Sequence, residues 1–257
     1  MTQIENRTKD AIPMNPDGFF RAAIAEGEGL GTAYEYYAKF HLMKKVLTED
    51  KVKKIIVFGL PEKYGYSIDF VLYSQYIGAS LVIADDRPER LIEHKQICNE
   101  LFSEDFVNKI EYVHVNSWSE PFEVSRDVDL ALSSEVFQRL NREQRHMFAK
   151  NLRNVPKAAV FTPNARNSSH ATISGLKTCT VDDFELSFEG IGTKHFGYVD
   201  FFLSPPGLHL KKKNKTMLKK RSTIVSLGLQ AWYALAEKSL KFMPTQSLHH
   251  IVYLISA

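Results

Sequence analysis

Segments typical of β-strands alternate with segments typical of helices from about residue 34 of this chain onward. The strand-like segments are β-branched or apolar runs that end at glycine or a polar residue, and the helix-like segments carry apolar residues at helical spacing. This alternation predicts a parallel sheet covered by helices on both faces. Such sheets bind ligands beyond the carboxyl ends of their strands, so the residues after each strand are the first candidates for a functional site.

The last part of the chain departs from this alternation. Two further strand-like segments, KHFGYVDFF and LHHIVYLISA, are separated by helix-like sequence that begins with a basic run. We therefore predict an α/β fold with a doubly wound, seven-stranded, mostly parallel sheet, a C-terminal antiparallel edge strand and a helical cap. Residues 1–50 are predicted to form an N-terminal helical cap segment. Residues 51–257 are predicted to form the sheet domain, with a helical insertion at about 208–246.

The composition is that of one large globular domain, or of one domain with a cap. Of the 257 residues, 44% are hydrophobic and 25% are charged, and the net charge of +3 is too small to argue for a nucleic-acid partner by itself. Cys98 and Cys179 have neither metal-site nor disulfide spacing, so we predict that both are buried and that there is no metal centre. The polar N-terminus and the short apolar window 70–84 predict a cytoplasmic protein.

The first strand, KKIIVFG, ends at Gly59 and leads through the loop LPEKYGYS into a helix. Backbone N–H groups at a helix N-terminus favour anionic or polar ligand groups, and glycine permits their close approach. Gly59 and Gly65 lack the Gly-x-Gly spacing of a dinucleotide fingerprint, and Pro61 has no N–H to offer a ligand. An ordinary turn between strand and helix is an equally good interpretation of this loop.

Two acidic residues, Asp85 and Asp86, follow the second strand. The two oxygens of a carboxylate at this position can accept hydrogen bonds from both hydroxyls of a ribose. The separation from Gly59 is close to the roughly 20 residues expected between the turn and a ribose-binding acid. The alternative is that one of the two aspartates caps the following helix.

Polar residues also follow the third and fourth strands. Asn116, Ser117 and Trp118 come after the third strand, where an adenine ring could be recognised by amide and backbone groups. Ser133, Ser134 and Glu135 come at the end of the fourth strand and are predicted to lie beneath the same cleft. A run of two serines and a glutamate is also typical of a helix N-cap.

Taken together, these segments resemble a known family. KKIIVFG, LVIADDRPERL, YVHVNSWSEPF, DVDLALSSEVFQRL and KAAVFTPN resemble, in order and spacing, the successive motifs of class I S-adenosylmethionine-dependent methyltransferases of the small-molecule type. The resemblance covers about residues 50 to 205. It implies a Rossmann-like fold, S-adenosylmethionine as cofactor, and methyl transfer as the activity.

The resemblance also implies roles for individual residues. Asp85 corresponds to the acid that holds the ribose, and Asn116 stands where the family has an aspartate that holds the adenine amino group. Ser117 would offer its backbone to the ring. The glycine-rich first loop corresponds to Gly59, with Pro61 in place of a glycine and Gly65 displaced by a longer loop.

The segment before the first strand, EGEGLGTAYEYYAKF, resembles the N-terminal helix that closes over the methionine part of the cofactor in many such enzymes. Tyr34, Glu35 and Tyr37 are therefore candidate cofactor contacts. The alternative is an amphipathic helix that buries its tyrosines for stability.

Catalysis by methyl transfer needs little acid–base assistance, because alignment of the acceptor with the methyl group in a dry cleft supplies much of the rate. Where a proton must be removed, His170, Glu135 and His195 are the candidate bases. The resemblance places Asn164 and His170, both after the fifth strand, in the acceptor pocket. Turn formation is the alternative for this segment, which is rich in asparagine and serine.

The basic segment 211–221 precedes an apolar helix-like stretch. A solvated helix face is its ordinary interpretation, and an anionic substrate or peripheral contact with an anionic membrane is the functional one. We therefore predict a small-molecule or lipid-like acceptor and no nucleic-acid partner, since no RNA-binding signature is present.

Two other hypotheses stay open at this point. The first is a binding or scaffold protein with a methyltransferase-like fold and no catalysis, which the altered glycine loop and Asn116 motivate. The second is an NAD-dependent Rossmann enzyme, which the missing glycine spacing disfavours.

Overall fold

The structure is a computed structural model that describes residues 12–47, 52–153, 155–175, 177–190, 192, 194–201, 222–240 and 246–256. Its centre is a seven-stranded sheet in the order β3-β2-β1-β4-β5-β7-β6. The strands are β1 (Lys54–Phe58), β2 (Ser80–Asp85), β3 (Glu111–His114), β4 (Leu130–Ser134), β5 (Lys157–Pro163), β6 (Lys194–Phe201) and β7 (His249–Ser256).

Strands β1 to β5 are parallel, and β7 is antiparallel to both of its neighbours, β5 and β6. The doubly wound, mostly parallel sheet with an antiparallel pair at its C-terminal edge is thus confirmed. Within that pair the outermost strand is β6, and the last strand of the chain lies between β5 and β6.

Helices cover the sheet on both sides. They are α1 (Pro16–Ala25), α2 (Leu30–Val46), α3 (Ile68–Ile77), α4 (Pro88–Leu101), α5 (Glu104–Val107), α6 (Arg142–Leu152), α7 (Ser168–Ser174), α8 (Val181–Ser187) and α9 (Ser222–Leu240). Short 3₁₀ helices span Phe137–Arg139 and Gln246–Leu248.

The two faces of the sheet are buried in two separate cores. In β1, Ile55 and Val57 face one core, whereas Ile56 and Phe58 face the other. This alternation follows from the two-residue period of a strand. Because both faces are covered, β1 is a continuous β-branched and aromatic run.

Local signals set two helix boundaries: the sequence predicts that Gly78 closes one helix and that Pro88 lies near the start of the next. Gly78 ends α3 in the left-handed conformation, with φ of 71°, which glycine adopts without a Cβ penalty. Pro88 is the first residue of α4, where its missing N–H leaves no helical hydrogen bond unmade.

The helical spacing of EVFQRLNREQRHMFAKNLRNV predicts a single long helix after β4. The structure shows that this prediction is wrong. The chain forms a 3₁₀ turn, becomes extended at Leu140 and begins α6 only after Asn141. The Asn141 side chain accepts from the Gln144 N–H at 2.9 Å, and the Gln144 side chain accepts from the Asn141 N–H at 3.0 Å. This capping box starts a new helix, which outweighs the helical pattern around it.

The N-terminal helices pack against the rest of the fold. Helix α1 packs on α2 and on α9, and α2 also contacts β6. The division of the chain at residue 50 remains a prediction. Of the predicted insertion at 208–246, the structure describes only α9 and residue 246. No helix within the described residues is both long and apolar enough to cross a membrane.

Candidate functional site

A polar pocket lies where β1 and β4 end, beneath α2. The space not occupied by atoms, counted together with its opening to solvent, is about 260 Å³. Pro61, Tyr64 and Ser67 line it from the loop after β1, and Ser134 and Glu135 line it from the end of β4. We call it the α2–β4 pocket. It occupies the edge of the sheet where parallel strands place their ligand sites.

One face of α2 forms the opposite wall of this pocket. Thr32, Glu35, Tyr36 and Lys39 line it, and their spacing of three and four residues is that of a single helix face. Of the three residues predicted on this helix, only Glu35 lines the pocket. Tyr34 and Tyr37 pack against Tyr233 of α9, with ring centroids 6.3 and 4.8 Å away. The structure therefore corrects the expected cofactor contacts by Tyr34 and Tyr37, which point to the adjoining helix.

Lys39 is the centre of the polar network and is only 1% exposed. Its Nζ lies 2.9 Å from an oxygen of Asp69 and 3.0 Å from one of Glu35, and it donates to Ser134 Oγ at 3.2 Å. Burial opposes charge on Lys39, but Asp69 and Glu35 together raise its pKa above the ordinary value. A buried cation of this kind is stable only while its carboxylate partners remain.

Glu135 follows β4 directly and is 7% exposed. Burial, and next the negative charge of Glu35, raise the pKa of Glu135 well above its usual range. Its Oε2 has no hydrogen-bond partner among the described residues. A raised pKa favours the protonated carboxyl, which is able to donate a hydrogen bond to a ligand.

Three residues other than glycine have a positive φ in the described part of the chain: Ser67 at 57°, Glu135 at 57° and Asp200 at 60°. Ser67 and Glu135 both line the α2–β4 pocket. A left-handed backbone at a side chain other than glycine costs free energy and is typical of functional sites. This supports the assignment of the pocket as a site.

Both predicted glycines of the first loop have positive φ, 87° at Gly59 and 70° at Gly65. A Cβ on Gly59 would lie 2.6 Å from Cγ2 of Val136, and one on Gly65 would lie 2.4 Å from Oε2 of Glu26. The protein's own packing therefore requires glycine at both positions.

Glu26, in the turn after α1, holds this loop in place. Its carboxyl accepts hydrogen bonds from the hydroxyl of Tyr36 at 2.5 Å, from the N–H of Tyr66 at 2.8 Å and from the N–H of Ile68 at 2.9 Å. Burial raises the pKa of Glu26 to about 8 despite these bonds. The loop between β1 and α3 is thus tied to the N-terminal helices.

Asp85 is the last residue of β2 and is completely buried. Its Oδ2 accepts from the N–H of Leu60 at 2.6 Å and from Nη2 of Arg87 at 3.1 Å. Its Oδ1 accepts from the N–H and Nε of Arg87 at 2.9 and 2.8 Å. Asp85 therefore lies beside the first loop and is hydrogen-bonded to Arg87, and Nη2 of Arg139 lies 3.6 Å from its Oδ2. Its binding of a ribose stays a prediction.

Asp86 makes a different ion pair. Both of its oxygens accept from the guanidinium of Arg139, at 3.2 and 2.6 Å. Burial raises the pKa of Asp86, but the hydrogen bonds and charge of Arg139 outweigh it, and the pKa is lower than usual. We refer to Gly59, Leu60, Asp85, Asp86 and Arg87 as the β1–β2 edge.

The residues predicted after the third and fourth strands are dispersed. Asn116 is exposed, and Ser117 is half-buried, with its Oγ accepting from the N–H of Ser119 at 3.1 Å. The Trp118 side chain belongs to the core, with its ring 4.7 Å from that of Phe58. A contact between adenine and the backbone at Trp118 stays a prediction. Ser133 is buried, and its Oγ has no partner among the described residues.

His195 is not at the site. It is exposed and pairs with Ile255, which in turn pairs with Ala159 near the beginning of β5. Strands β5 and β6 run in the same direction, so His195 lies at the amino end of the sheet, opposite the pocket. Its proposed catalytic role is corrected for this reason.

The two residues predicted after β5 have different outcomes. Asn164 is fully buried, and its amide donates to the carbonyl groups of Gln246 and His249 at 2.8 and 3.0 Å. It joins the end of β5 to the start of β7, which corrects its expected place in the acceptor pocket. His170 lies on α7, and its side chain is outside the part of the chain that the structure describes.

Sequence reasoning missed several polar groups at this edge of the sheet. Lys39 and Asp69 lie within apolar helix patterns, where a charged residue on the buried face was the available signal. The pair of Asp200 and His250, with 3.1 Å between Oδ2 and Nδ1, gave no such signal, because it joins separate strands. No cluster of three potential metal ligands occurs among the described residues.

No protein-family model matches the sequence, and no curated protein matches it. Solved structures do match the fold. The methyltransferase domain of bacterial CtHen1-CN matches with a TM-score of 0.55 and 13% sequence identity, over 88% of this chain and 98% of that one. The methyltransferase domain of bacterial CtHen1-C matches with a TM-score of 0.52 and 15% identity, over 88% of this chain and 94% of that one.

At these identities the likeness concerns the fold. The architecture of both matched domains is that of a methyltransferase, and the strand order and the antiparallel last strand of this chain agree with the architecture predicted from its sequence motifs. The chain therefore has a Rossmann-like methyltransferase fold.

Proposed function

We propose that this chain binds S-adenosylmethionine along the β1–β2 edge and the α2–β4 pocket and transfers its methyl group to a small-molecule acceptor. One observation carries the proposal: a methyltransferase fold places a buried cation, Lys39, and the carboxyl groups of Glu35 and Glu135 in one pocket beside the Gly59 loop. A fold alone does not give a function, so this charge arrangement is the stronger argument.

The charges in the pocket complement an amino-acid group. The methionine end of the cofactor carries an ammonium and a carboxylate. The carboxyl groups of Glu35 and Glu135 would face the ammonium, and Lys39, whose donors are held by Asp69, Glu35 and Ser134, would contribute only its positive charge toward the carboxylate. Asp85, at the end of β2, would hold the ribose once its present partner moves aside. Asn116, Ser117, Asp86 and Ser133 stay predicted contacts of the nucleoside part.

When bound, the cofactor supplies a methyl group on an activated sulfonium. The chain would align the acceptor and exclude water from the pocket. Glu135 is the proposed proton acceptor where one is needed, because a carboxyl beside a cationic ligand loses its proton more readily than one in an empty apolar site. His170 remains a second predicted base.

The experiment is calorimetry with S-adenosylhomocysteine. We expect binding by the unmutated protein and at least about a hundredfold weaker binding by Asp85→Ala, since two hydrogen bonds to a charged group are lost. Asp127→Ala is the matched control, because Asp127 pairs with Lys54 at the start of β1, at the end of the sheet opposite the proposed site. Asp85→Asn, which still accepts from Leu60, serves if Asp85→Ala fails to fold.

Absence of binding at millimolar S-adenosylhomocysteine would contradict the cofactor assignment. It would favour the alternative, a binding or scaffold protein without catalysis, for which the ion pair of Asp85 and Arg87 is the supporting observation. Binding of NAD in a parallel titration would favour the hypothesis of an NAD-dependent Rossmann enzyme.

A lipid-like acceptor is the narrower form of the proposal. Leu227 and Leu235 are exposed on α9, which follows the basic segment 211–221. That segment lies outside the described residues, and peripheral contact with an anionic membrane through it stays a proposal. Sedimentation with phosphatidylserine vesicles tests the contact, and equal sedimentation after charge removal from 211–221 would contradict it.

A further inference from the structure

We infer that Arg87 occupies the ribose position of the site and must leave Asp85 before a nucleoside binds there, so that Arg87 sets the affinity for the cofactor. This inference rests on the proposed function. It goes beyond it because it assigns a role to a residue that neither holds the ligand nor takes part in the reaction.

The acceptor positions of the Asp85 carboxylate are all occupied by groups of the protein. Each carboxylate oxygen has two lone pairs. In this structure Oδ1 receives the N–H and Nε of Arg87, and Oδ2 receives the N–H of Leu60 and Nη2 of Arg87. All acceptor positions are used, and Asp85 has no exposed surface. The hydroxyls of a ribose could be accepted only in place of Arg87.

Arg87 also holds the loop that follows β1. Its Nη2 donates to the carbonyl of Leu60 at 2.7 Å and to that of Pro61 at 3.3 Å. One guanidinium therefore joins the end of β2 to the loop after β1, which are the two elements between which the nucleoside is proposed to bind.

Arg90 holds the same loop without contacting Asp85. Its Nη2 donates to the carbonyl of Gly65 at 2.8 Å and to that of Pro61 at 3.3 Å. Its guanidinium carbon lies 3.8 Å from the ring centroid of Tyr66. Substitution of Arg90 therefore separates loosening of the first loop from release of Asp85, because it removes bonds to the loop and leaves Asp85 hydrogen-bonded to Arg87.

The side chain of Arg87 has room to change conformation, whereas that of Asp85 does not. The Arg87 side chain is 22% exposed, and a second carboxylate, that of Asp86, lies 3.8 Å from its Nε. The guanidinium can turn toward solvent and Asp86, whereas Asp85 is fixed at the end of a buried strand. Arg87 is therefore displaced by the ligand at the cost of part of the ligand's affinity.

The test is calorimetry with S-adenosylhomocysteine on the full chain and on Arg87→Met and Arg90→Met. We expect Arg87→Met to bind at least about tenfold more tightly than the unmutated protein, because the competing partner of Asp85 is gone. Arg90→Met is expected to bind no more tightly. Arg87→Lys keeps the charge without the fork of donors and is expected to lie between, which keeps the test valid if Arg87→Met is unstable.

Equal affinities for the unmutated protein and both Arg87 variants would overturn the inference and leave the proposed cofactor in place. A structure with bound S-adenosylhomocysteine in which Arg87 still contacts Asp85 would do the same. Absence of binding by every variant, with each shown to be folded by thermal unfolding, would overturn the proposed cofactor and this inference together.

Discussion

The α2–β4 pocket and the β1–β2 edge lie next to each other, but their charged groups are arranged differently. In the pocket, Lys39 is held by residues of three separate elements, and Glu135 has a carboxyl oxygen without a partner. At the edge, Asp85 is paired by Arg87, two residues further along the chain. The pocket therefore has a carboxyl oxygen with which a ligand can form a hydrogen bond, whereas the acceptor positions of Asp85 at the edge are occupied by groups of the protein itself.

This difference indicates which half of the site is ready for a ligand. Groups fixed by long-range packing keep their positions when a ligand arrives. A long side chain paired with a near neighbour is exchanged more easily, because it has solvent-facing alternatives. Three substitutions test whether the two regions differ in this way, in order of expected effect.

The largest effect is expected for Lys39→Met. The substitution leaves the buried carboxylate of Asp69 without its cation, and we expect a loss of about 3–5 kcal/mol in the free energy of unfolding. Urea denaturation measures it. Lys45→Met, on the exposed side of the same helix, is the control and is expected to change stability by no more than about 0.5 kcal/mol.

A double variant, Lys39→Met with Asp69→Asn, isolates the buried charge. Its loss should be smaller than that of Lys39→Met alone, because no uncompensated carboxylate remains. Equal losses would show that Lys39 acts through packing and that the pocket is not held by its ion pairs.

A smaller effect is expected for Gly65→Ala, in the loop that joins the two regions. The alanine would have to adopt the φ of 70°, and its Cβ would overlap with Oε2 of Glu26. Together these should lower the free energy of unfolding by about 1–3 kcal/mol. Gly31→Ala is the control, since a Cβ there meets no atom within 4 Å. A neutral Gly65→Ala would show that the loop is not fixed by Glu26.

The smallest effect is expected at the β1–β2 edge, for Arg139→Met. Its pair with Asp86 is partly exposed, so we expect a loss of about 0.5–1 kcal/mol at pH 7, measured by urea denaturation. The folded pKa of Asp86 lies below its usual value, so the pair contributes stability above the unfolded pKa of 3.8 that is lost as the pH falls through the folded pKa.

The difference between Arg139→Met and the unmutated protein should therefore shrink as the pH is lowered from about 7 toward 3. A difference that grows on acidification would contradict the assigned ion pair. Together with Lys39→Met, this comparison measures how much more the buried pocket network contributes than the pairs at the edge.

Much of the fold could be predicted from the sequence, because strand and helix periodicity is a local property. Strand β1 lies within KKIIVFG, β2 ends within LVIADDRPERL, and Gly78 and Pro88 mark helix ends where expected. The long helix after β4 failed because the capping box of Asn141 and Gln144 is a local signal that overrides periodicity. The signal is present in the sequence itself, as an asparagine followed three residues later by a glutamine.

The candidate site was predictable only in part. Asp85, Gly59 and Glu135 follow strands, and parallel strands bring their carboxyl ends to one edge, so their approximate position followed from the strand pattern. His195 also belongs to a strand, but which end of the sheet it lies at depends on the register between β6 and β7. No local sequence pattern reveals that register. The face of α2 that lines the pocket likewise depends on where α9 packs.

The sequence by itself determined the alternation of strands and helices, the positions of the turns and the residues that follow each strand, because these depend on neighbours in the chain. Only the tertiary structure decided that Lys39 meets Asp69 and Ser134, that Arg139 pairs with Asp86, and that Trp118 enters the core. Such partners are chosen by packing between distant segments and by the need to pair every buried charge, which the order of residues does not express.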